Sequence, residues 1–138
     1  MKTTKSLIFY FFLLATISGV KSQTTNQRTV EENNPDAPAI SFNKMVHDYG
    51  TIKKDTNGSC EFVFKNVGKK PLILNNAVAS CGCTVPTWPK EPIMPGKTGA
   101  IKVVYDTKKA GSFNKTITIL SNAQNGPVIL TIRGAVKE

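Results

Sequence analysis

The only paired reactive groups in this sequence are Cys81 and Cys83, which are separated by Gly82 alone. In an extended segment, residues two apart point to the same face, with their Cα atoms about 6.6 Å apart. That separation is near the upper limit for a disulfide. A Cys81–Cys83 bond therefore needs a bend, which glycine permits, and we expect it to be strained.

The residues alone leave four uses of the cysteines open. A strained, exposed disulfide is of the redox-active kind, and two thiolates on one face suit Cu(I) or Zn²⁺. Cys60 can instead pair with Cys81 or Cys83 and leave one thiol over, or the cysteines can pack as small apolar residues or form a plain structural bridge. Further metal ligands, if the fold brings them close, would be Met45, His47 and Met94. Because a CxC lacks the second CxxC or histidine pair of a zinc signature, we predict no cofactor, with Cys81 and Cys83 as the candidate ligands if a metal binds.

No catalytic constellation accompanies the cysteines. His47 is the sole histidine, and its neighbour Asp48 faces the other side if both lie in a strand. We expect a half-exposed strand histidine there. The carboxylates form no spaced pair of the kind that supports acid–base catalysis. The sequence therefore predicts no catalytic residue and a protein that is not an enzyme.

The first 22 residues have the layout of a secretory signal peptide. Lys2 and Lys5 precede an apolar run over residues 7–17, and small or polar residues then suit cleavage before Gln23. The run is shorter than the roughly 20 apolar residues that a membrane-spanning helix needs. We therefore predict export to the periplasm or the extracellular space, with no membrane span after cleavage.

The chain is basic, with a formal net charge of +9. Removal of residues 1–22 lowers the 18 basic residues to 15 against 9 acidic ones, a net charge of +6. The lysines alternate along predicted strands or lie in turns, which is typical of a solvated face. With export, this pattern favours a protein or envelope partner over nucleic acid.

Residues 23–38 are polar and contain two prolines, which predicts a flexible leader. The folded domain is predicted over residues 39–138. Alternation is clearest at residues 59–66, where Cys60, Phe62 and Phe64 share a face, and it recurs at residues 99–106 and 112–120.

Three turn or bend signals accompany these strands. Asn57-Gly58 predicts a hairpin turn, and Asn75-Asn76 predicts a bulge. Four prolines within residues 86–96 predict an irregular crossing from one sheet to the other. The side chains expected to anchor this crossing to the core are Trp88, Ile93 and Met94.

No window of ten or more residues has a helical apolar period, and strands recur about every dozen residues. This pattern predicts an all-β fold, an immunoglobulin-like antiparallel β-sandwich of about seven strands. The Cys–Trp–Cys spacing of antibody domains is absent, so the likeness is to the architecture only.

Several motifs follow one another in a familiar order: His47-Asp48-Tyr49-Gly50, then residues 62–72 (FVFKNVGKKPL), then Cys81-Gly82-Cys83-Thr84. This order resembles a bacterial family of exported domains known as domain of unknown function 1573, which is related to the immunoglobulin-like ASH and major-sperm-protein group. The resemblance covers about residues 40–136. It implies a sandwich fold, export by bacteria and no established activity. Cys60 matches no motif of that family.

The sequence thus favours a non-enzymatic, exported immunoglobulin-like module that binds a protein or envelope component through its sheet edges or loops. The alternative is a thiol redox or soft-metal protein that uses Cys81 and Cys83.

Overall fold

The computed structural model describes residues 34–138, which fold into two β-sheets with no helix in that range. The eight strands are β1 (Ile40–Phe42), β2 (Val46–Lys53), β3 (Ser59–Asn66), β4 (Leu74–Ala79), β5 (Thr84–Thr87), β6 (Thr98–Tyr105), β7 (Gly111–Ser121) and β8 (Val128–Lys137). One sheet has the order β1-β3-β6-β5 and the other β2-β8-β7-β4. The predicted all-β sandwich is confirmed, with eight strands instead of about seven.

The pairing within the sheets is antiparallel except at one edge, where β2 runs parallel to β8. The core lies between the sheets and is built by the alternation seen in the sequence. Phe62, Phe64, Ile101, Ile117 and Leu130 are each fully buried, and each contributes roughly 1.5–3 kcal/mol by leaving water. The strongest period-two segments of the sequence are thus the inner strands of the sandwich.

The predicted Asn57-Gly58 hairpin is wrong. β2 and β3 belong to different sheets, so the segment between them crosses the sandwich, and its positive φ falls at Asp55. Gly58 is needed for another reason: a Cβ at this position would overlap the carbonyl oxygen of Tyr105. The glycine therefore permits two main chains to lie close together.

The predicted sheet crossing at residues 86–96 is also misplaced. The chain leaves one sheet at the end of β4 and enters the other at β5, so it crosses at residues 80–83. Pro86 lies inside β5, an edge strand, where a missing N–H is tolerated. Of the three predicted anchors, Trp88 and Ile93 pack against the core, but Met94 is 53% exposed.

Asn66 is a fully buried polar residue at the end of β3. Its side-chain amide donates to the carbonyls of Lys70 at 2.8 Å and Ile93 at 2.9 Å, and its Oδ1 accepts from the N–H of Gly68 at 2.9 Å. One side chain thereby holds the turn after β3 against the segment that precedes β6. The predicted bulge at Asn75-Asn76 is confirmed by a register shift between Leu74 and Asn76.

The predicted signal peptide and most of the predicted leader lie outside the described residues. The last five leader residues, 34–38, form a turn closed by the bond from the Ala37 N–H to the Asn34 carbonyl. This turn contacts the sandwich, because the Gln124 N–H donates to the Pro38 carbonyl at 2.9 Å and Asp36 lies 3.2 Å from Lys69. Within residues 34–138, no helix is long and apolar enough to cross a membrane.

Candidate functional site

Cys81 and Cys83 are joined in a disulfide at the point where the chain changes sheets. Their Cα atoms are 5.3 Å apart, closer than in an extended segment, so the backbone is bent there as the spacing requires. Gly82 has no positive φ and no neighbour within 4 Å of an added Cβ. The bend therefore does not depend on glycine at this position.

Thr84 is the buried residue that follows the disulfide, with 3% of its surface exposed. Its Oγ1 lies 3.7 Å from the Sγ of Cys81 and 3.9 Å from the Sγ of Cys83. Because β5 begins at Thr84, the strand fixes the hydroxyl against both sulfurs. The CGCT tetrapeptide of the sequence is thus one local unit.

Two shallow hollows adjoin the disulfide, and Gly82, Cys83, Tyr105 and Asp106 line both of them. The larger, of about 490 Å³, also includes residues 55–58, Val85, Val104, Thr107 and Lys108. The smaller, of about 440 Å³, also includes Lys109 and Lys115. We refer to them as the larger and the smaller hollow.

Cys60 is the free cysteine and lines neither hollow. Its side chain faces the core beside the Tyr49 phenol, whose hydroxyl donates to the Gly58 carbonyl at 2.6 Å. Burial raises the pKa of the Cys60 thiol, and the Tyr49 hydroxyl and the charge of Lys44 oppose the shift. The thiol is therefore kept protonated near neutral pH, unlike a reactive cysteine.

His47 does not join the cysteines. Its Nδ1 lies 3.1 Å from the Lys44 ammonium. Its ring packs edge-on against that of Tyr49, with 4.5 Å between the ring centroids. Burial and Lys44 lower the pKa of His47, while Asp48 raises it. Asp48 instead accepts from Arg133 Nε at 2.9 Å. His47 thus has no paired carboxylate or thiol of a catalytic dyad.

The other proposed metal ligands are also dispersed. Met45 and Met94 are 49% and 53% exposed, and residues 34–138 contain no group of three or more His, Cys, Asp or Glu side chains able to hold a metal ion. In the disulfide, neither Cys81 nor Cys83 is a thiolate, which is the form that binds soft metals.

Sheet edges form a second kind of candidate site, and the edges at β1 and β5 are each blocked in part: Asn125 covers Ile40 but not the outward groups of Phe42, and β5 has no free outward N–H. In β1, the Asn125 amide bonds both the N–H (3.2 Å) and the carbonyl (2.9 Å) of Ile40. In β5, the outward residues are Thr84 and Pro86: the Thr84 N–H donates to the Cys81 carbonyl at 3.4 Å, and proline has no N–H.

The β4 edge is partly blocked. The Ser80 N–H donates to the Thr116 carbonyl of β7 at 2.8 Å, so strand alternation turns the main-chain groups of Ala77 and Ala79 outward. The Ala77 N–H is taken by the Oδ1 of Asn76 at 2.9 Å. Between Ala77 and Ala79, the N–H of Ala79 is the outward donor that stays without a partner in the described part of the chain.

The β2 edge is the most open. The Met45 carbonyl accepts from the Thr131 N–H of β8 at 2.8 Å, so the parallel ladder turns the N–H and carbonyl of Val46 and Asp48 outward. Within residues 34–138, no hydrogen bond reaches these four groups. The side chains of Met45 and Val46 are 49% and 47% exposed. This segment, Met45–Asp48, is called the open edge below.

A bulge follows the open edge. The register with β8 shifts between Asp48 and Thr51, and Gly50 has a φ of 63°. The Asp48 carboxylate accepts from the Gly50 N–H at 2.8 Å, which fixes the bend. The bulge therefore separates the open edge from the rest of β2.

Sequence reasoning missed the Asn66, Asn122 and Asn125 amides. Asn122 holds a second edge segment, with its Oδ1 2.8 Å from the Ile73 N–H and its amide donating to the Pro71 carbonyl. Asn66 belongs to the motif at residues 62–72, but that motif did not indicate the bonds that its amide makes. Nothing local in residues 121–127 signalled bonds to partners as many as 85 positions away.

A two-layer β-sandwich with this architecture is similar in fold to ASH/PapD-like domains of known structure. The ASH/PapD-like domain 7 of human CEP192 superposes with a TM-score of 0.64 at 6% identity, over 75% of this chain and 89% of that one. A protein of unknown function from Porphyromonas gingivalis W83 has a TM-score of 0.64 at 16% identity, over 73% of this chain and 48% of that one. The YadV chaperone has a TM-score of 0.54 at 14% identity, over 72% and 52%.

The chain belongs to the family described as protein of unknown function DUF1573, whose model matches residues 40–136. It spans about half the length of the Porphyromonas gingivalis protein. No curated protein sequence matches it.

Proposed function

We propose that this chain is a non-enzymatic module, exported into the bacterial cell envelope, that binds an extended segment of a partner protein by strand addition at the open edge. The observation that carries the proposal is the pair of outward main-chain donors and acceptors at Val46 and Asp48. An added strand satisfies such groups with main-chain hydrogen bonds.

The exposed side chains beside these groups support the same reading. Met45 and Val46 offer apolar contact next to the hydrogen-bonding groups, and methionine adapts its shape to different partners. The Asp48–Arg133 pair marks the polar end of the open edge. A partner segment with an apolar residue followed by a polar one would match this order.

The first experiment selects displayed octapeptides on the immobilised domain and compares two variants of one residue. Val46→Pro removes the outward N–H without breaking a bond to β8, so we expect selected peptides to bind about tenfold more weakly or worse. Val46→Thr keeps the N–H and the branched shape, and should bind within about threefold of the wild type.

Thermal unfolding within a few degrees of the wild type would show that both variants are folded. Peptides that bind Val46→Pro as tightly as the wild type would overturn strand addition at β2. If the binding of the selected peptides depends instead on the outward N–H of Ala79, the strand-addition site lies at β4.

Export is tested on the intact protein in a bacterial host. We expect the mature chain to begin at Gln23 and to be recovered from the periplasmic or secreted fraction, because residues 1–22 have the charge and length of a cleaved signal. Recovery of a chain that starts at Met1 in the cytoplasmic fraction would contradict the proposed location.

A further inference from the structure

The Cys81–Cys83 disulfide is badly placed to act as a staple. The stabilisation that a cross-link gives the folded state grows with the length of the loop it closes, and this bond encloses only Gly82. Cys60 stands in a strand of the same sandwich and stays unpaired. The chain thus uses its disulfide where it constrains the unfolded state least.

The bond is also placed where another molecule can reach it. Gly82 is exposed, and Cys83 borders both hollows, whereas Cys81 borders neither. Both cysteines are half-buried, and because only Cys83 lines the hollows we assign the attack of an incoming thiolate to its Sγ. Attack at one defined sulfur makes Cys81 the leaving group.

The charges around the two hollows differ in sign. The smaller hollow has Lys109 and Lys115 against Asp106, whereas the larger has Asp55 and Asp106 against Lys108. A thiolate is an anion, so the excess of lysine attracts it to the smaller hollow. The approach to Cys83 is thereby favoured from one side.

Thr84 lies beside both sulfurs and is slightly closer to that of Cys81. Its Oγ1 is 3.7 Å from the Sγ of Cys81, and β5 holds the residue buried. A hydroxyl at this place can donate to the thiolate that leaves when the disulfide opens. The lysines of the smaller hollow thus lie where a thiolate approaches, and the Thr84 hydroxyl lies where a thiolate leaves.

We propose that Cys81–Cys83 is a thiol–disulfide exchange site that oxidises a dithiol of another protein, a function separate from strand addition. The partner's thiolate attacks the Sγ of Cys83, an S–S bond forms, and the Cys81–Cys83 bond breaks with the electron pair on Cys81. The partner's second thiolate then attacks the partner's first sulfur, which is bonded to Cys83 in the mixed disulfide. The partner's own disulfide forms, and Cys83 is released. The partner loses two electrons and two protons, and Cys81 and Cys83 gain them as thiols.

The test uses the mature chain carrying Cys60→Ser, so that every free thiol formed belongs to the pair. Oxidised protein is mixed with dithiothreitol in the folded state, quenched in acid and alkylated, and the added mass is counted. We expect two alkyl groups per chain and one equivalent of oxidised dithiothreitol. Alkylation that requires denaturant would overturn the proposal.

Charge-removing variants test the role of the hollow. We expect Lys109→Gln with Lys115→Gln to slow the reduction about three- to tenfold and to abolish most of its salt dependence. The matched control, Lys65→Gln with Lys97→Gln, removes two lysines that line neither hollow and should leave the rate within about twofold. Equal rates in the two double variants would contradict the assigned approach.

Val46→Pro tests whether disulfide exchange is independent of the proposed strand addition. Because the open edge and the hollows share no residue, its reduction rate should equal that of the wild type. A changed rate in folded Val46→Pro would show that the two sites are not independent and would overturn the exchange site as described.

Discussion

Asn66 shows how a single residue can hold two distant segments together. All of its side-chain hydrogen bonds go to main-chain groups, at Gly68, Lys70 and Ile93. Its own N–H donates to the Lys97 carbonyl at 3.0 Å. A residue with no exposed surface and this many partners leaves several buried groups unsatisfied when its amide is removed.

We therefore expect Asn66→Ala to lower the free energy of unfolding by about 3 kcal/mol, from the lost bonds and the unpaired carbonyls. Urea unfolding at neutral pH measures it. Asn114→Ala is the control, because Asn114 is exposed in β7 and should change stability by less than about 0.5 kcal/mol. Similar losses in both variants would contradict the role given to Asn66.

Gly58 and Gly82 show the difference between a glycine that close packing requires and a glycine that is only exposed. Gly58→Ala places a Cβ against the Tyr105 carbonyl, and we expect a loss of about 2–3 kcal/mol as the main chains move apart. Gly82→Ala meets nothing within 4 Å and should cost less than about 0.5 kcal/mol. Chemical denaturation of the two variants measures these losses in the free energy of unfolding. A larger loss for Gly82→Ala than for Gly58→Ala would contradict the packing role given to Gly58.

Burial of Cys60 predicts a loss of stability at alkaline pH. Because the pKa of its thiol is raised above the ordinary value of 9.0 in the fold, the unfolded chain ionises first. Its contribution is complete below about pH 9 and is lost as the pH rises through the folded pKa. Burial also raises the pKa of Tyr49 and Tyr105 above 10.0, which adds the same trend at higher pH.

Urea unfolding measured from pH 7 to pH 10.5 checks this prediction. The wild type should begin to lose stability near pH 9, and Cys60→Ala should keep a flat profile until the tyrosines take effect near pH 10. A wild-type stability that rises above pH 9, or identical profiles for the two proteins, would rule out the linkage to Cys60.

At the scale of strands, the two sheets differ in how their edges are closed. Asn122 and Asn125, three positions apart in one loop, cap edge segments of both sheets. Pro86 and the short β1 add further protection, and such devices prevent unwanted strand pairing. Their presence on other edges makes the open edge of β2 stand out.

Removing one cap tests this account of the edges. Asn125→Ala frees the N–H and carbonyl of Ile40, and we expect a loss of about 1–2 kcal/mol in the free energy of unfolding. Gln124→Ala, at an exposed neighbour whose only assigned bond is from its main-chain N–H, should cost less than about 0.5 kcal/mol. Equal costs for the two loop variants would remove the capping role.

The strands themselves could be predicted because alternation is a local property. β3, β6 and β7 bury the faces that the sequence indicated, from Phe62 to Ile119. Strand partners are not local: Asn57-Gly58 has the composition of a hairpin, yet it joins strands of different sheets. The prolines of residues 86–96 likewise favoured a sheet crossing there, whereas the chain crosses at the short CGC segment.

At the scale of the whole molecule, the family and the sandwich architecture were predictable from ordered motifs that cover the domain. The site was predictable only in part. The spacing of Cys81 and Cys83 permitted a bent disulfide but left other pairings open, because Cys60 is brought to Tyr49 only by the packing of one sheet on the other. The open edge depends on β2 pairing in parallel with β8, which no local pattern encodes.

Amide hydrogen exchange, resolved residue by residue by NMR on the free domain, tests the open edge most directly. Along β2, the His47 N–H faces β8 and should be protected, whereas the outward N–H groups of Val46 and Asp48 should exchange at least about a hundredfold faster. Addition of a selected peptide should slow Val46 and Asp48 toward the rate of His47. Protection of Val46 equal to that of His47 in the free domain would contradict an edge that is available to a partner.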